Sequence, residues 1–256
     1  MAKVKAPFTI TGTIDDLNFY DSPDGNIVRM SGKTGVTKQQ FRDNAIFDPI
    51  RRQGAAFGLC SRKAKIFKQM VQPFYKNVHA GSLFGRCIQL LLAILNEDTQ
   101  NKEGNRQLIN GLRTLTGLDF LLGFEGNNSR PIESVFSKTL LFSWEKAELN
   151  LTWFNPSNDI IWPENATQVH IQLAVADWDC REDFFETNYS DELVFDRLSN
   201  KALLSFELMT PKQAHLWLCF IHFKFSYTLY NKVKPLPNIS NSVTLIGYRS
   251  FSEYLL

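Results

Sequence analysis

Ser31-Gly-Lys-Thr34 has the ending of a phosphate-binding loop, in which backbone N–H groups wrap a nucleotide's phosphates ahead of a lysine and a hydroxyl. That chemistry needs a first glycine five residues before Gly32, and the position is Ile27, inside a predicted strand. Gly25 has the wrong spacing, and Gly35 interrupts any helix that phosphate would sit on, so the tetrapeptide reads as a turn. Histidine chemistry is equally thin. His79, His170, His215 and His222 form no His-x-x-x-His ligand pair, and Cys219 and His222, three apart in a predicted strand, fall on opposite faces. Asp177-Trp-Asp-Cys-Arg-Glu-Asp183 is rich in the oxygen donors a hard cation takes, but lacks the glycine and distal glutamate of an EF-hand, and reads as a solvated acidic loop. No Gly-x-Ser-x-Gly nucleophile elbow occurs. The expectation is no catalytic residue, no metal, no cofactor and no evident small-molecule ligand. A hydrolase built around Asp177–Asp183 is the competing enzyme reading.

Cationic chemistry is better represented. Residues 29–86 hold 12 Lys and Arg against only Asp43 and Asp48. On a helical wheel from Ile50 to about Lys76, Ile50, Phe57, Cys60, Ala64, Phe67, Val71 and Phe74 share one half, and Arg51, Arg62, Lys65 and Lys76 lie opposite. One amphipathic helix with a basic stripe is predicted, and Pro73 should kink it or end it early. Gly54 and Gly58 lower helix propensity, which predicts close packing against a neighbour. Arg51, Arg62, Lys65 and Lys76 are the candidate binding residues. A protein partner or self-assembly on this basic region is the leading reading, and sequence-independent phosphate contact with nucleic acid is the alternative. Phe67 and Phe74 belong to the apolar half and predict core rather than base stacking.

The elements that must carry this stripe follow from periodicity. Asp21-Ser-Pro-Asp-Gly-Asn26 separates two β-rich runs and predicts a hairpin. Thr37 and Gln40 have capping-box spacing, and Asp48-Pro49 is a strong helix start. Gly81 to Asn96 predicts a buried helix, and Arg106 to Leu115 a shorter one. Beyond the polar joint 125–131 the apolar period changes from about 3.6 to 2. Strands are predicted at Leu140–Trp144, Leu149–Phe154, Val169–Val175, Leu203–Met209, Leu216–Leu229 and Val243–Tyr248, with Phe142, Trp144, Trp153, Phe206, Trp217 and Phe223 as inward-facing side chains. The expected fold is α+β: a β-hairpin and helical domain over 1–126, then an antiparallel, immunoglobulin-like β-sandwich domain over 132–256.

The 256 residues, 44% apolar and 21% charged, are ordinary globular composition and exclude fibrous or disordered classes. Net charge is only +2, yet residues 1–126 carry 17 Lys and Arg against 11 Asp and Glu, and residues 127–256 carry 11 against 15. Cys60, Cys87, Cys180 and Cys219 are scattered and predict reduced thiols. The longest apolar run, Ile88 to Leu95, is too short to cross a bilayer, and the N-terminus has no secretory apolar stretch. A cytoplasmic protein with no membrane partner is expected.

Gly12-Thr-Ile-Asp-Asp-Leu-Asn-Phe-Tyr20, Val28-Arg-Met, the segment Asn44 to Phe57 and Leu122-Gly-Phe-Glu125, in that order, resemble uncharacterised bacterial proteins of the domain-of-unknown-function type. The resemblance covers about residues 8–175, with its specificity in the first 60. It implies the two-part organisation and transfers no site.

Overall fold

A computed structural model describes residues 2–4, 7–22, 25–32, 35–79, 81–199, 202–230 and 232–251. The chain divides into two compact units, Met1–Ile50 and Arg51–Leu256.

The first unit contains strands β1 (Ala2–Lys3), β2 (Gly12–Ile14), β3 (Leu17–Ser22) and β4 (Gly25–Met30), then the short helix α1 (Lys38–Asp43). The strands form one antiparallel sheet in the order β1-β4-β3-β2. The predicted hairpin is β3–β4, closed by the pair Ser22 and Gly25, and residues 23–24 between them lie outside the described residues. So do Lys33 and Thr34 of the phosphate-loop look-alike. The capping box forms as its spacing requires: Thr37 Oγ1 accepts from Gln40 N, and Gln40 Oε1 accepts from Thr37 N. Cross-strand pairs place Ile14, Leu17 and Met30 on the same sheet face as Phe19 and Val28. None of the described residues of this unit is buried.

Helix α2 (Asp48–Met70) starts at the predicted Asp-Pro and stops at Met70. The single helix expected to reach Lys76 is in fact two: Val71 leaves helical geometry, and α3 (Gln72–Tyr75) takes Pro73 into its first turn, where a missing N–H is harmless. Helices α4 (Leu83–Asn96), α5 (Leu108–Leu112) and α6 (Leu115–Asp119) follow. Gly111 is indispensable between α4 and α5, since a Cβ there would lie 1.9 Å from the Ile94 carbonyl oxygen. Gly54 and Gly58 do the opposite of what was expected. A Cβ at either would meet open space, so neither marks close packing.

The rest of the second unit is mainly antiparallel sheet: β5 (Glu148–Phe154), α7 (Pro156–Asp159), β6 (Gln168–Asp179), β7 (Phe184–Tyr189), β8 (Leu193–Asp196), β9 (Ala202–Glu207), β10 (Leu216–Leu229), β11 (Lys232–Pro235) and β12 (Ser242–Ser250). Central β10 pairs with β6 on one edge and with β11 and β12 on the other, β6 pairs further with β7 and β8, and β5–β9 form a separate ribbon. Alternation along β10 separates two cores. Leu216, Leu218 and Phe220 join Cys60, Ala64 and Phe67 of α2 and Cys87, Leu91 and Ile94 of α4. Trp217, Cys219, Ile221, Phe223 and Phe225 join Leu149, Leu204 and Phe206 of the ribbon. The polar joint 125–131 runs inside this unit, where the buried Asn127 side chain donates to the carbonyls of Ile239 and Asn241.

Two predicted features are corrected. Leu140–Trp144 is not a strand beyond one bridge from Ser143 to Glu148, because its alternation is broken by the turn at Glu145–Ala147. Trp153 does not face inward: it is 83% exposed, while Phe206, Trp217 and Phe223 are buried and Phe142 and Trp144 pack at the core's edge.

Candidate functional site

Helix α2 presents two faces whose chemistry differs. Cys60, Ala64, Phe67 and Met70 are buried, and Arg62 and Lys65 stand exposed about half a turn away. Of the other predicted binding residues, Arg51 lies half-buried three turns upstream on the same stripe, and Lys76 is exposed beyond the break at Val71. The stripe therefore holds Arg51, Arg62 and Lys65 and loses Lys76. Lys63 was missed. It sits between Phe67 and Met70 on the apolar face, is buried, and donates to the Cys180 carbonyl and to Asp183 Oδ1 at 2.6 Å.

Arg62 also lines a cavity of about 730 Å³ between α2, the end of α4 and the loop after it. Positions 52, 55, 56 and 59 recur at helical spacing and put Arg52, Ala55, Ala56 and Leu59 on its wall, facing Leu92, Leu95 and Asn96 of α4. The short alanines leave room. Phe57, Glu103, Gly104 and Arg106 complete the lining. Gly104 has φ +93°, and a Cβ there would fall 2.9 Å from Cγ of Arg52, so glycine admits the Arg52 stem against the loop.

Asp98 fixes that loop. Its buried carboxylate accepts from the backbone of Gln100, Asn101 and Gln107 and from the side chains of Asn101 and Asn110. Desolvation raises its pKa, but the bonds from Gln107, Asn101 and Asn110 outweigh it and hold the group down at about 2. Arg106 Nη1 donates to Asn96 Oδ1 at 2.7 Å, and its Nε is buried without a hydrogen-bond partner.

No known protein family, curated protein or solved structure matches the chain.

The acidic segment 177–183 is not the solvated loop expected. Asp177 and Trp178 are buried inside β6, Asp179 Oδ1 accepts from the backbone of Arg181 and Glu182, and Asp183 pairs with Lys63. His215 meets this segment from the start of β10. Its Nδ1 lies 2.6 Å from Asp177 Oδ2, its backbone N donates to Asp177 Oδ1, and its Nε2 is 3.7 Å from Asp179. Burial raises the Asp177 pKa against the lowering effect of the two His215 bonds. An oriented imidazole of this kind is half of a general-base arrangement. The described residues contain no group of three His, Cys, Asp or Glu suited to a metal ion, and no helix among them is long and apolar enough to cross a membrane.

Proposed function

We propose that the protein is a non-enzymatic binding or structural protein that joins a protein partner or further copies of itself. The carrying observation is the N-terminal sheet, where Ile14, Leu17 and Met30 share a face and are 57%, 41% and 74% exposed. Four short strands with no fully buried residue among those described lack the packed face such a sheet needs for stability. A protein surface supplies it, at about 25 cal/mol per Å² of apolar area removed from water. Nucleic acid offers phosphates instead, and the exposed Arg62 and Lys65 support that second reading.

The finer architectural and cellular readings belong with this proposal. The six-stranded sheet and the β5–β9 ribbon share a core, which supports an abbreviated, immunoglobulin-like sandwich. Four buried free cysteines suit a reducing, cytoplasmic setting.

Sedimentation velocity across a concentration series tests self-assembly. The wild type is expected to associate, and the double variant Leu17→Ser, Met30→Ser to sediment as a monomer with an unchanged circular dichroism spectrum. Association that survives the double substitution would remove the sheet face from the reading. Binding of labelled duplex DNA and RNA at low salt, lost when Arg62 and Lys65 are both changed to Glu, would favour nucleic acid instead.

A further inference from the structure

We infer that the cavity between α2 and α4 is a binding site for an amphipathic anion, a carboxylate or phosphate monoester carried on an apolar body. Its volume of about 730 Å³ lies within the roughly 300–1,000 Å³ of small-ligand sites. The apolar part of the wall is Phe57, Leu59, Leu92 and Leu95, with the two alanines between them. Phe57 is 54% exposed and gives the wall a large aromatic surface.

The polar part is not balanced. Arg52, Arg62 and Arg106 line the cavity with one carboxylate, Glu103. Guanidinium forks match the paired oxygens of carboxylate and phosphate, so the charge selects an anionic head group. A bare inorganic anion leaves the apolar wall unused, and a neutral hydrocarbon leaves the cationic part of the lining unused. Only a molecule with both parts uses the whole lining. This inference is independent of assembly through the N-terminal sheet, since it concerns residues 52–106 alone.

The test is isothermal titration of the full chain with decanoate and with decyl phosphate, both below their aggregation concentrations, alongside decanol and decyltrimethylammonium. One saturable site is expected for at least one anion, and the tighter of the two identifies the head group. Arg62→Gln should weaken that binding by about tenfold or more, because one charge-assisted contact is lost. Ala55→Trp should abolish it by filling the cavity from an exposed position. Both variants should keep the wild-type melting curve. The inference is overturned if neither anion saturates, if decanol or the cation binds equally well, or if both substitutions leave the affinity unchanged.

Discussion

The imidazole of His222 lies against the ring of Phe74, with centroids 4.8 Å apart and planes 25° apart. It is buried on the helix-covered side of β10, and its Nε2 has no hydrogen-bond partner. Burial, followed by the charges of Lys224 and His170, pushes its pKa down to about 3. The folded chain thus refuses a proton that the unfolded chain takes up near pH 6.5. Stability contributed by the neutral ring is present above that pH and falls as pH drops toward 3. His222→Phe keeps the stack and removes the proton site. At pH 5 the variant should exceed the wild type by about 2 kcal/mol more than it does at pH 7.5. Urea unfolding at the two pH values measures the difference, and an equal offset at both would show that the ring does not titrate on unfolding.

Glu125 titrates with the opposite sign. Thr244 Oγ1 donates to its Oε2 at 2.7 Å and Ile132 N to its Oε1 at 3.0 Å, tying the 125–131 segment to β12. Desolvation still dominates these bonds and raises the pKa to about 7. A raised carboxyl is protonated in the fold before it is in the unfolded chain, so stability is lost as pH rises from about 4.5 through 7. Glu125→Gln retains an acceptor for Ile132 and a partner for Thr244. It should match the wild type near pH 4.5 and exceed it by about 1–2 kcal/mol at pH 8, less than full linkage because the site is partly hydrated. Thermal melts across that range decide it.

Local signals in the chain proved readable where one residue's chemistry acts on its neighbours. Thr37 and Gln40 cap α1, Asp48-Pro49 opens α2, and the long alternating runs become β5, β6, β9, β10 and β12. Strands β7 and β8 escaped because they mix polar and apolar side chains along half-exposed edges, so period 2 is weak. The site was only partly legible. Arg62 was found, but the cavity needs the loop after α4 to bring Arg106, 44 residues downstream, near it, and nothing at Arg106 itself signals that approach. The His215–Asp177 pair spans 38 residues and was equally hidden. Lys63 was different: its place between Phe67 and Met70 on the wheel already put a cation among apolar side chains.

That lysine carries a packing prediction. Lys63 Nζ donates to the Cys180 carbonyl and Asp183, joining α2 to the turn between β6 and β7. Lys63→Met keeps the aliphatic stem but removes the donor to the Cys180 oxygen, while Asp183, 42% exposed at its side chain, can turn to water. The loss should be about 1–3 kcal/mol, set by the buried carbonyl rather than by the ion pair. Asp183→Asn separates the two contributions, and it should cost under about 1 kcal/mol. If the asparagine variant loses as much as the methionine one in chemical denaturation, the ion pair is the larger contributor.

Asp98 links stability to the cavity. Five donors converge on one buried carboxylate, and they belong to Gln100, Asn101, Gln107 and Asn110, which bracket the loop carrying Glu103, Gly104 and Arg106. An amide in its place presents N–H groups toward Gln107 N, a donor, so Asp98→Asn cannot satisfy the same set. The cost should be about 1–3 kcal/mol. Because the carboxylate is held down near pKa 2, its contribution is fully present above pH 4 and fades only as pH falls through 2. The melting-temperature gap between wild type and Asp98→Asn should therefore be flat from pH 5 to 8. Loop order is a separate readout. Hydrogen exchange at residues 100–107 should accelerate in the variant under conditions where the strands of the second unit remain protected, since the five bonds are local to the loop. Acceleration spread evenly over β6 and β10 would mean that Asp98 supports the whole unit and not the wall of the cavity.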